Sequence, residues 1–287
     1  MNIKHKISLL LSIFCLTTTW AQDELLNQLD TIKSTEKQIE IAAFKGLQIC
    51  NLQSTKLPAK HEWYVLISHR FGDLTQGFDN FFGLDEANTK IGAIYGATNW
   101  LSIGFSRETS NKIYEFASKI KFADQQTNGF PFTIVAYNTV DINSKLKTNE
   151  YPNLKTNNRF AYSNQLLVSR KFSNAISLEI APIYIHKNLY DPETELKDQF
   201  LVAAGGRFKI SKRMSLNIEY AKRINAPENT IFHDPLSAGL DIETGGHVFQ
   251  MVLSNSQVMN DVAVFSKAQG NWNGGGIYFG FNMYRVF

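Results

Sequence analysis

The sequence predicts an all-β fold, an antiparallel transmembrane β-barrel of about twelve strands with short periplasmic turns and longer extracellular loops. Three observations predict it. Beyond residue 60 the chain alternates apolar and polar residues in runs of about 7 to 14. The links between runs are short on one side and long on the other. The last run ends at an aromatic residue, Phe287, on its apolar face.

The N-terminus is read as an export signal. Lys4, His5 and Lys6 are followed by an apolar stretch, Ile7 to Leu16, broken only by Ser8 and Ser12. Thr19 and Ala21 put small residues where a signal peptidase needs them, so cleavage is expected after Ala21. The apolar stretch is much shorter than the roughly 20 residues of a membrane helix. Three parts follow: 1–21 signal peptide, 22–60 periplasmic leader and 61–287 barrel. Within the leader, Asp23 to about Ile41 is polar, with a weak helical stripe at Leu25, Leu29 and Ile32. Lys56-Leu57-Pro58 marks a break, and 42–55 has no assigned place.

Removing Lys4 and Lys6 lowers the formal charge from +3 to +1, which points to neither nucleic acid nor a strongly charged partner. Cys50 is then the one cysteine left, which excludes an intrachain disulfide and a cysteine metal cluster. No later stretch approaches 18 consecutive apolar residues.

The strand runs are 61–71, 88–96, 100–107, 112–124, 130–143, 158–171, 175–187, 198–210, 213–223, 236–243, 246–255 and 275–287. In the ninth, Met214, Leu216, Ile218 and Tyr220 alternate with Ser215, Asn217, Glu219 and Ala221. Successive side chains of a strand point to opposite faces, so one face is apolar and the other polar. The polar faces carry Glu115, Lys119, Lys121, Glu179, Arg207, Lys209, Asn217, Glu219, Asp241 and Gln250 as candidate lumen-lining residues. The apolar faces carry an aromatic rim that includes Tyr95, Phe105, Phe122, Tyr162, Phe208 and Tyr220, as a barrel in lipid requires.

Tight turns follow the even-numbered runs, as at Ala97-Thr98-Asn99, Ser173-Asn174, Ser211-Lys212 and Thr244-Gly245-Gly246. Long polar links follow the odd-numbered runs at 72–87, 144–157, 188–197, 224–235 and 256–274; the third run is the exception. Both ends of the barrel then fall on the short-turn side. In the last run, Phe279, Phe281, Met283 and Phe287 share one face, the pattern of a strand read by the barrel assembly machinery; Arg285 interrupts it.

Several segments carry a family likeness. His69-Arg70-Phe71-Gly72, Phe82-Gly83-Leu84-Asp85, Gly205-Gly206-Arg207-Phe208, Ile242 to Gln250 and the ending Tyr278 to Phe287 resemble an uncharacterised outer-membrane β-barrel family of Bacteroidetes-type bacteria, known as a domain of unknown function. The resemblance runs from about residue 40 to the end. It implies the fold and an outer-membrane location, and no substrate, cofactor or catalytic residue.

Motifs that could carry chemistry read as structural. Gly245-Gly246-His247 is followed by a strand, whereas a phosphate cradle needs a helix N-terminus, so it is expected to be a hairpin turn. His61, His69, His186, His233 and His247 are scattered, with no pair at i, i+4. His186 at the rim has no serine on its own side of the neighbouring strand, since Ser163 and Ser169 point inward. Gly77 to Gly83 holds three phenylalanines spaced i, i+3, i+4, as in an amphipathic helical turn that could fold over the mouth.

The expected function is therefore a narrow pore or a small-ligand transport barrel. A partner-binding barrel with a closed lumen is the alternative, an outer-membrane hydrolase a third choice, and no cofactor or metal is expected. Expected partners are outer-membrane lipid and, during biogenesis, the assembly machinery. Arg207 and Glu219 are expected to lie close enough to pair across the strand 8–9 hairpin. Deleting Phe287 is expected to lower outer-membrane assembly sharply, measured by heat-modifiable gel mobility and membrane fractionation. Normal assembly of the deletion would remove the sorting role.

Overall fold

A computed structural model describes residues 39, 40, 42–244 and 247–287. The signal stretch, its cleavage site, the helical stripe at Leu25 to Ile32 and Gly245-Gly246 lie outside the described residues. Twelve strands form one closed antiparallel barrel: β1 (Trp63–Asp73), β2 (Ala87–Gly96), β3 (Leu101–Glu108), β4 (Ile113–Ala123), β5 (Thr133–Asn143), β6 (Phe160–Lys171), β7 (Ile176–Lys187), β8 (Asp198–Lys209), β9 (Met214–Arg223), β10 (Leu236–Thr244), β11 (His247–Ser254) and β12 (Tyr278–Val286). Each pairs with its neighbours in sequence, and β1 pairs with β12 to close the wall. All twelve lie within three residues of the runs read from alternation.

The two faces of the wall follow from the period-two pattern. In β9, Ser215, Asn217, Glu219 and Ala221 are buried while Leu216, Ile218 and Tyr220 are exposed. An exposed apolar set that includes Ile91, Ile103, Phe116, Ile180, Phe200 and Ile218 continues round the outside. Lipid is the solvent that makes such a surface favourable. Short links, such as 97–100, 172–175 and 210–213, lie at one end of the barrel. The links 74–86, 144–159, 188–197, 224–235 and 255–277 lie at the other.

In the first long link the chain forms short 3₁₀ turns at Leu74–Gln76 and Phe78–Gly83. Phe81 and Phe82 have φ of 42° and 54°, in the left-handed region, so the phenylalanine spacing does not make an amphipathic helical turn. Phe78, Phe81 and Phe82 are all exposed. The last long link contains the α-helix of the described residues, α1 (Asp261–Ser266), most of which is buried.

The interior departs from the sequence expectation at residues 43–57. The sequence counts them in the leader 22–60 and gives 42–55 no place of its own; the structure places them inside the barrel. They hydrogen-bond to Arg70 of β1, Lys119 of β4, Glu179 of β7, Glu219 of β9, Gln250 of β11 and Asn282 of β12. A segment that touches strands all round a closed barrel lies in its lumen. Ile49, Cys50 and Leu52 have no solvent-accessible surface.

A second departure concerns the polarity of the wall. On β5 to β9 part of the inner face is apolar: Val135, Leu167, Ile183, Ile185, Leu201 and Ala203 are buried. They form one cluster with Phe44, Ile49 and Leu52 of the insert and with Val262, Val264 and Phe265 of α1. Those stretches are apolar on both faces because each face has an apolar partner, lipid outside and the inserted segments inside. At Gly205 of β8 the wall thins to let the insert approach. A Cβ there would lie 2.5 Å from Ile49 Cδ1.

Gly205→Leu is therefore expected to push the insert out of place at a cost of about 1–3 kcal/mol, the usual range for overpacking. That corresponds to roughly a 5- to 30-fold rise in the displaced population for each one to two kcal/mol. The rate of maleimide reaction at Cys50 in the folded, heat-modifiable barrel measures it; an unchanged rate would show that the insert does not press on this glycine.

Candidate functional site

The insert is a small hairpin. Gln48 and Gln53 form an antiparallel bridge, Ser54 N donates to Leu47 O at 2.9 Å, and Ile49 N donates to Leu52 O at 2.7 Å. Its turn presents three consecutive backbone N–H groups to one carboxylate. Cys50 N and Leu52 N donate to Glu219 Oε2, each at 2.9 Å, and Asn51 N donates to Oε1 at 2.8 Å. Successive amides converging on an anion form a nest, here with a wall side chain as the anion. The turn carbonyls are held as well. Ile49 O accepts from Asn217 Nδ2 at 3.1 Å and Gln250 Nε2 at 2.6 Å, and Cys50 O accepts from Asn282 Nδ2 at 2.8 Å. Arg70 Nη2 donates to Asn51 Oδ1 at 2.9 Å.

The opposite end of the hairpin meets the opposite charge. Lys119 Nζ donates to the carbonyls of Leu47 (2.9 Å), Ser54 (2.7 Å) and Lys56 (3.2 Å). Thr55 N donates to Glu179 Oε2 at 3.1 Å. A carboxylate thus takes the amide end and an ammonium takes the carbonyl end, which fixes the orientation of the hairpin in the lumen.

A second insert enters from the long-link end. Met259 N and Asn260 N donate to Glu108 at 3.0 and 2.8 Å, and Asp261 N donates to Glu115 Oε2 at 3.1 Å. Lys90 Nζ pairs with Glu115 Oε1 at 2.7 Å. The two inserts touch where Gln53 Nε2 donates to Asp261 Oδ2 at 3.4 Å. Between the hairpin and β2–β4 the remaining space is about 40 Å³, room for a few waters at roughly 10–15 Å³ each. At the outer mouth a larger cavity of about 490 Å³ lies between the ends of β5–β7, α1 and the links 144–159 and 188–197. On its rim Glu195 Oε1 accepts from Lys187 Nζ at 2.7 Å and Lys267 Nζ at 3.1 Å. Burial alone would raise the Glu195 carboxyl, but the two lysines outweigh it and hold it below the usual carboxylate range.

The structure places Glu115, Lys119, Glu179, Arg207, Asn217, Glu219, Asp241 and Gln250 buried on the inner face. Gln250 Nε2 also donates to Asp241 Oδ1 at 2.6 Å. Two candidates sit elsewhere. Lys209 is exposed, because β8 has reached the end of the wall there, and Lys121 is half-buried beside a bulge, paired with Asp124 at 2.9 Å. The expected pair of Arg207 and Glu219 does not form. Arg207 stands opposite Asn217, and Glu219 opposite Gly205. Arg207 Nη2 instead meets Glu243 Oε1 at 2.8 Å, and both oxygens of Glu219 are taken by the insert. Arg70, Glu108, Asp141, Asp261 and Asn282 were not singled out in sequence. The strand residues among them sit at inward positions of the alternation, which is the signal that could have marked them.

The last strand turns Phe279, Phe281 and Met283 to the outer face, where Phe281 stacks with Phe249 at 5.7 Å. Phe287 is exposed, and its N–H and C=O pair with Trp63 at 2.9 and 3.2 Å, beside the closing seam. At the rim, His186 Nδ1 and Tyr184 OH converge on Asp198 Oδ1 at 2.7 and 2.6 Å. His186 faces Tyr162 on β6 across the ladder. Among the described residues no group of three or more His, Cys, Asp or Glu is arranged to hold a metal ion.

No curated protein matches the chain. Among solved structures, the KdgM porin in complex with disordered oligogalacturonate aligns over 78% of this chain and 99% of its own, with 8% identity and a TM-score of 0.51. The NanC porin aligns over 78% and 99%, with 9% identity and a TM-score of 0.49. An outer membrane channel from Pseudomonas putida F1 aligns over 81% and 97%, with 11% identity and a TM-score of 0.45. At these identities the likeness to the KdgM porin is one of fold. The sequence match is more specific and takes in the lumenal hairpin together with the wall: over residues 44–287 the chain belongs to the family described as a membrane bound beta barrel domain.

Proposed function

We propose that this outer-membrane barrel is a gated channel, occluded at rest by its N-terminal hairpin and opened when that hairpin is displaced. The supporting observation is the polar seat of the hairpin turn, three amides on Glu219 and three carbonyls on Lys119. Each of these bonds has a charged partner, and such bonds exchange for bonds to water at a net cost of about 1.5–3 kcal/mol each. The seat can therefore be vacated with every group rehydrated, provided water enters as the hairpin leaves. The wall does not depend on the hairpin for closure, because the β1–β12 ladder is continuous from strand to strand round the barrel. The role is transport rather than catalysis.

One observation favours the alternative of a permanently closed lumen that serves a structural or partner-binding role. Phe44, Ile49 and Leu52 join an apolar cluster with α1 and β5–β9. Apolar burial at about 25 cal/mol per Å² adds to the polar seat in resisting displacement.

Conductance separates the two readings. Glu219→Ala leaves three buried amides without an acceptor, at about 1–3 kcal/mol each, and so favours the displaced hairpin. In planar bilayers the unaltered protein is expected to conduct weakly and intermittently. Glu219→Ala is expected to raise the open fraction at least tenfold and to make Cys50 reactive towards a membrane-impermeant maleimide. A barrel that stays silent while Cys50 becomes labelled would support the closed-lumen role instead, and a large steady conductance from the unaltered protein would refute occlusion altogether.

A further inference from the structure

We infer that the barrel associates with a second copy of itself through a polar patch on its lipid-facing side, centred on Asn138 of β5 and Asn164 of β6. The inference goes beyond the channel reading and does not depend on it, since it concerns the outer face of the wall.

The two asparagines stand opposite each other on neighbouring strands, both at outward positions of the alternation. Asn164 is exposed and Asn138 half-buried. Among the described residues, no other outward strand position carries a carboxamide. Asn138 is the sixth of the eleven residues of β5. Five residues at about 3.3 Å each, on a strand tilted by about 40°, put it roughly 13 Å from either end of the wall, in the middle of an apolar band about 25 Å tall. Ser118 of β4, opposite Asn138, extends the row. Neither carboxamide has a hydrogen-bond partner among the described residues. Each carries an acceptor oxygen and two N–H donors, and acyl chains supply neither donor nor acceptor. A bond between the two would use one donor and one acceptor and leave the other groups in hydrocarbon. The unmet capacity is for polar groups of another protein surface held at the same depth.

The backbone beneath the patch has the same need. The β6–β7 pairing is interrupted between Gln165 and Val168, opposite Pro182, which has no N–H to give. In lipid there is no water to complete such a ladder. Side chains round this point leave a recess of about 480 Å³, with Asn138, Asn164, Leu166, Pro182 and Val202 on its walls.

A second copy is the occupant that fits. Copies of one barrel enter the membrane in one orientation, so their patches lie at one depth. A carboxamide is its own complement, because each donates and accepts. A two-fold axis along the membrane normal between β5 and β6 exchanges those strands. It sets Asn138 of one copy beside Asn164 of the other, and the reverse, as a self-complementary interface requires. The same axis exchanges β4 and β7. Phe116, 49% exposed on β4 two residues from Ser118, is thereby carried towards the recess beside Pro182 of the other copy.

The test is the association state of the full-length protein, by sedimentation equilibrium in density-matched detergent and by disulfide cross-linking in native outer membranes with copper–phenanthroline as oxidant. The unaltered protein is expected to be dimeric in detergent. Asn138→Leu combined with Asn164→Leu is expected to raise the dimer dissociation constant at least tenfold while the barrel stays heat-modifiable, since leucine on this face suits lipid. Asn138→Cys and Asn164→Cys, expressed together, are expected to form a cross-linked pair, and Met251→Cys on β11 across the barrel none. Cys50 has no solvent-accessible surface and does not compete. A monomeric unaltered protein would overturn the proposal, and so would a dimer that the leucine pair leaves intact. A copy number other than two would overturn the two-fold arrangement. The first and last of these are read on the unaltered protein, so the proposal stays open to refutation even if the variants fail to fold. Association is read without conduction: a silent barrel that dimerises through the asparagines would refute the channel and leave the interface standing, and a conducting monomer would do the reverse.

Discussion

The carboxylate of Glu219 accepts hydrogen bonds from three successive amides of the lumenal hairpin, and the rest of the interior is arranged around that seat. Its origin lies in the size of the wall. Barrels of about eight strands are filled by their own side chains, whereas those of sixteen to eighteen leave an aqueous channel. Twelve strands leave a lumen too wide to be filled from the wall and narrow enough to be filled by one extra pass of chain. A pass of chain brings backbone amides and carbonyls with it, and each must find a partner once water is excluded. The inward positions supply those partners as Glu219 for amides, Lys119, Asn217, Gln250 and Asn282 for carbonyls.

The distribution of polar and apolar residues on the wall follows from what each part of it faces. Opposite the hairpin turn the inner residues are carboxylates, amides and Arg70. Opposite α1 and the flanks of the hairpin they are Val135, Leu167, Ile183, Ile185 and Leu201. Strand β7 shows both within one element: Ser177 and Glu179 inward near the short-turn end, then Ala181, Ile183 and Ile185, then Lys187 at the outer mouth. Its outer face is apolar from Ile176 to Pro182. The lumen is thus a second core, built against inserted chain rather than against water.

This division explains which features were legible in the sequence. The strands, their order, the parity of short and long links and the outward aromatic residues all follow from alternation, a local property that survives in any window of ten residues. The lumenal hairpin has no such period. Residues 47–54 hold Leu, Gln, Ile, Cys, Asn, Leu, Gln and Ser, and their placement is set by partners scattered along the chain, from Arg70 and Lys119 to Glu219 and Asn282. The sequence could mark Glu219 as inward but not say what it faces. The expected partner, Arg207, stands opposite Asn217 and pairs with Glu243, which Lys45 also approaches, because both oxygens of Glu219 are already held by the hairpin amides. Asp141 and Glu108 were readable only as inward polar positions, because their meaning depends on a helix that arrives from residues 261–266.

The two inserts also constrain each other. Gln53 of the hairpin donates to the same Asp261 oxygen that accepts from Tyr137. The backbone N–H of Asp261 is held by Glu115, whose other oxygen is held by Lys90. A chain of hydrogen bonds therefore runs from the hairpin, through Asp261 of α1, to Glu115 and Lys90 on the wall, and each link is buried. In a low-dielectric interior such a chain has few intermediate states, because any broken link leaves a buried polar group unpaired. A change that moved Asp261 would leave Gln53 and Tyr137 without their acceptor, and the hairpin would have to adjust. The seating of the hairpin and the position of α1 are thus coupled, with Asp261 as the shared element.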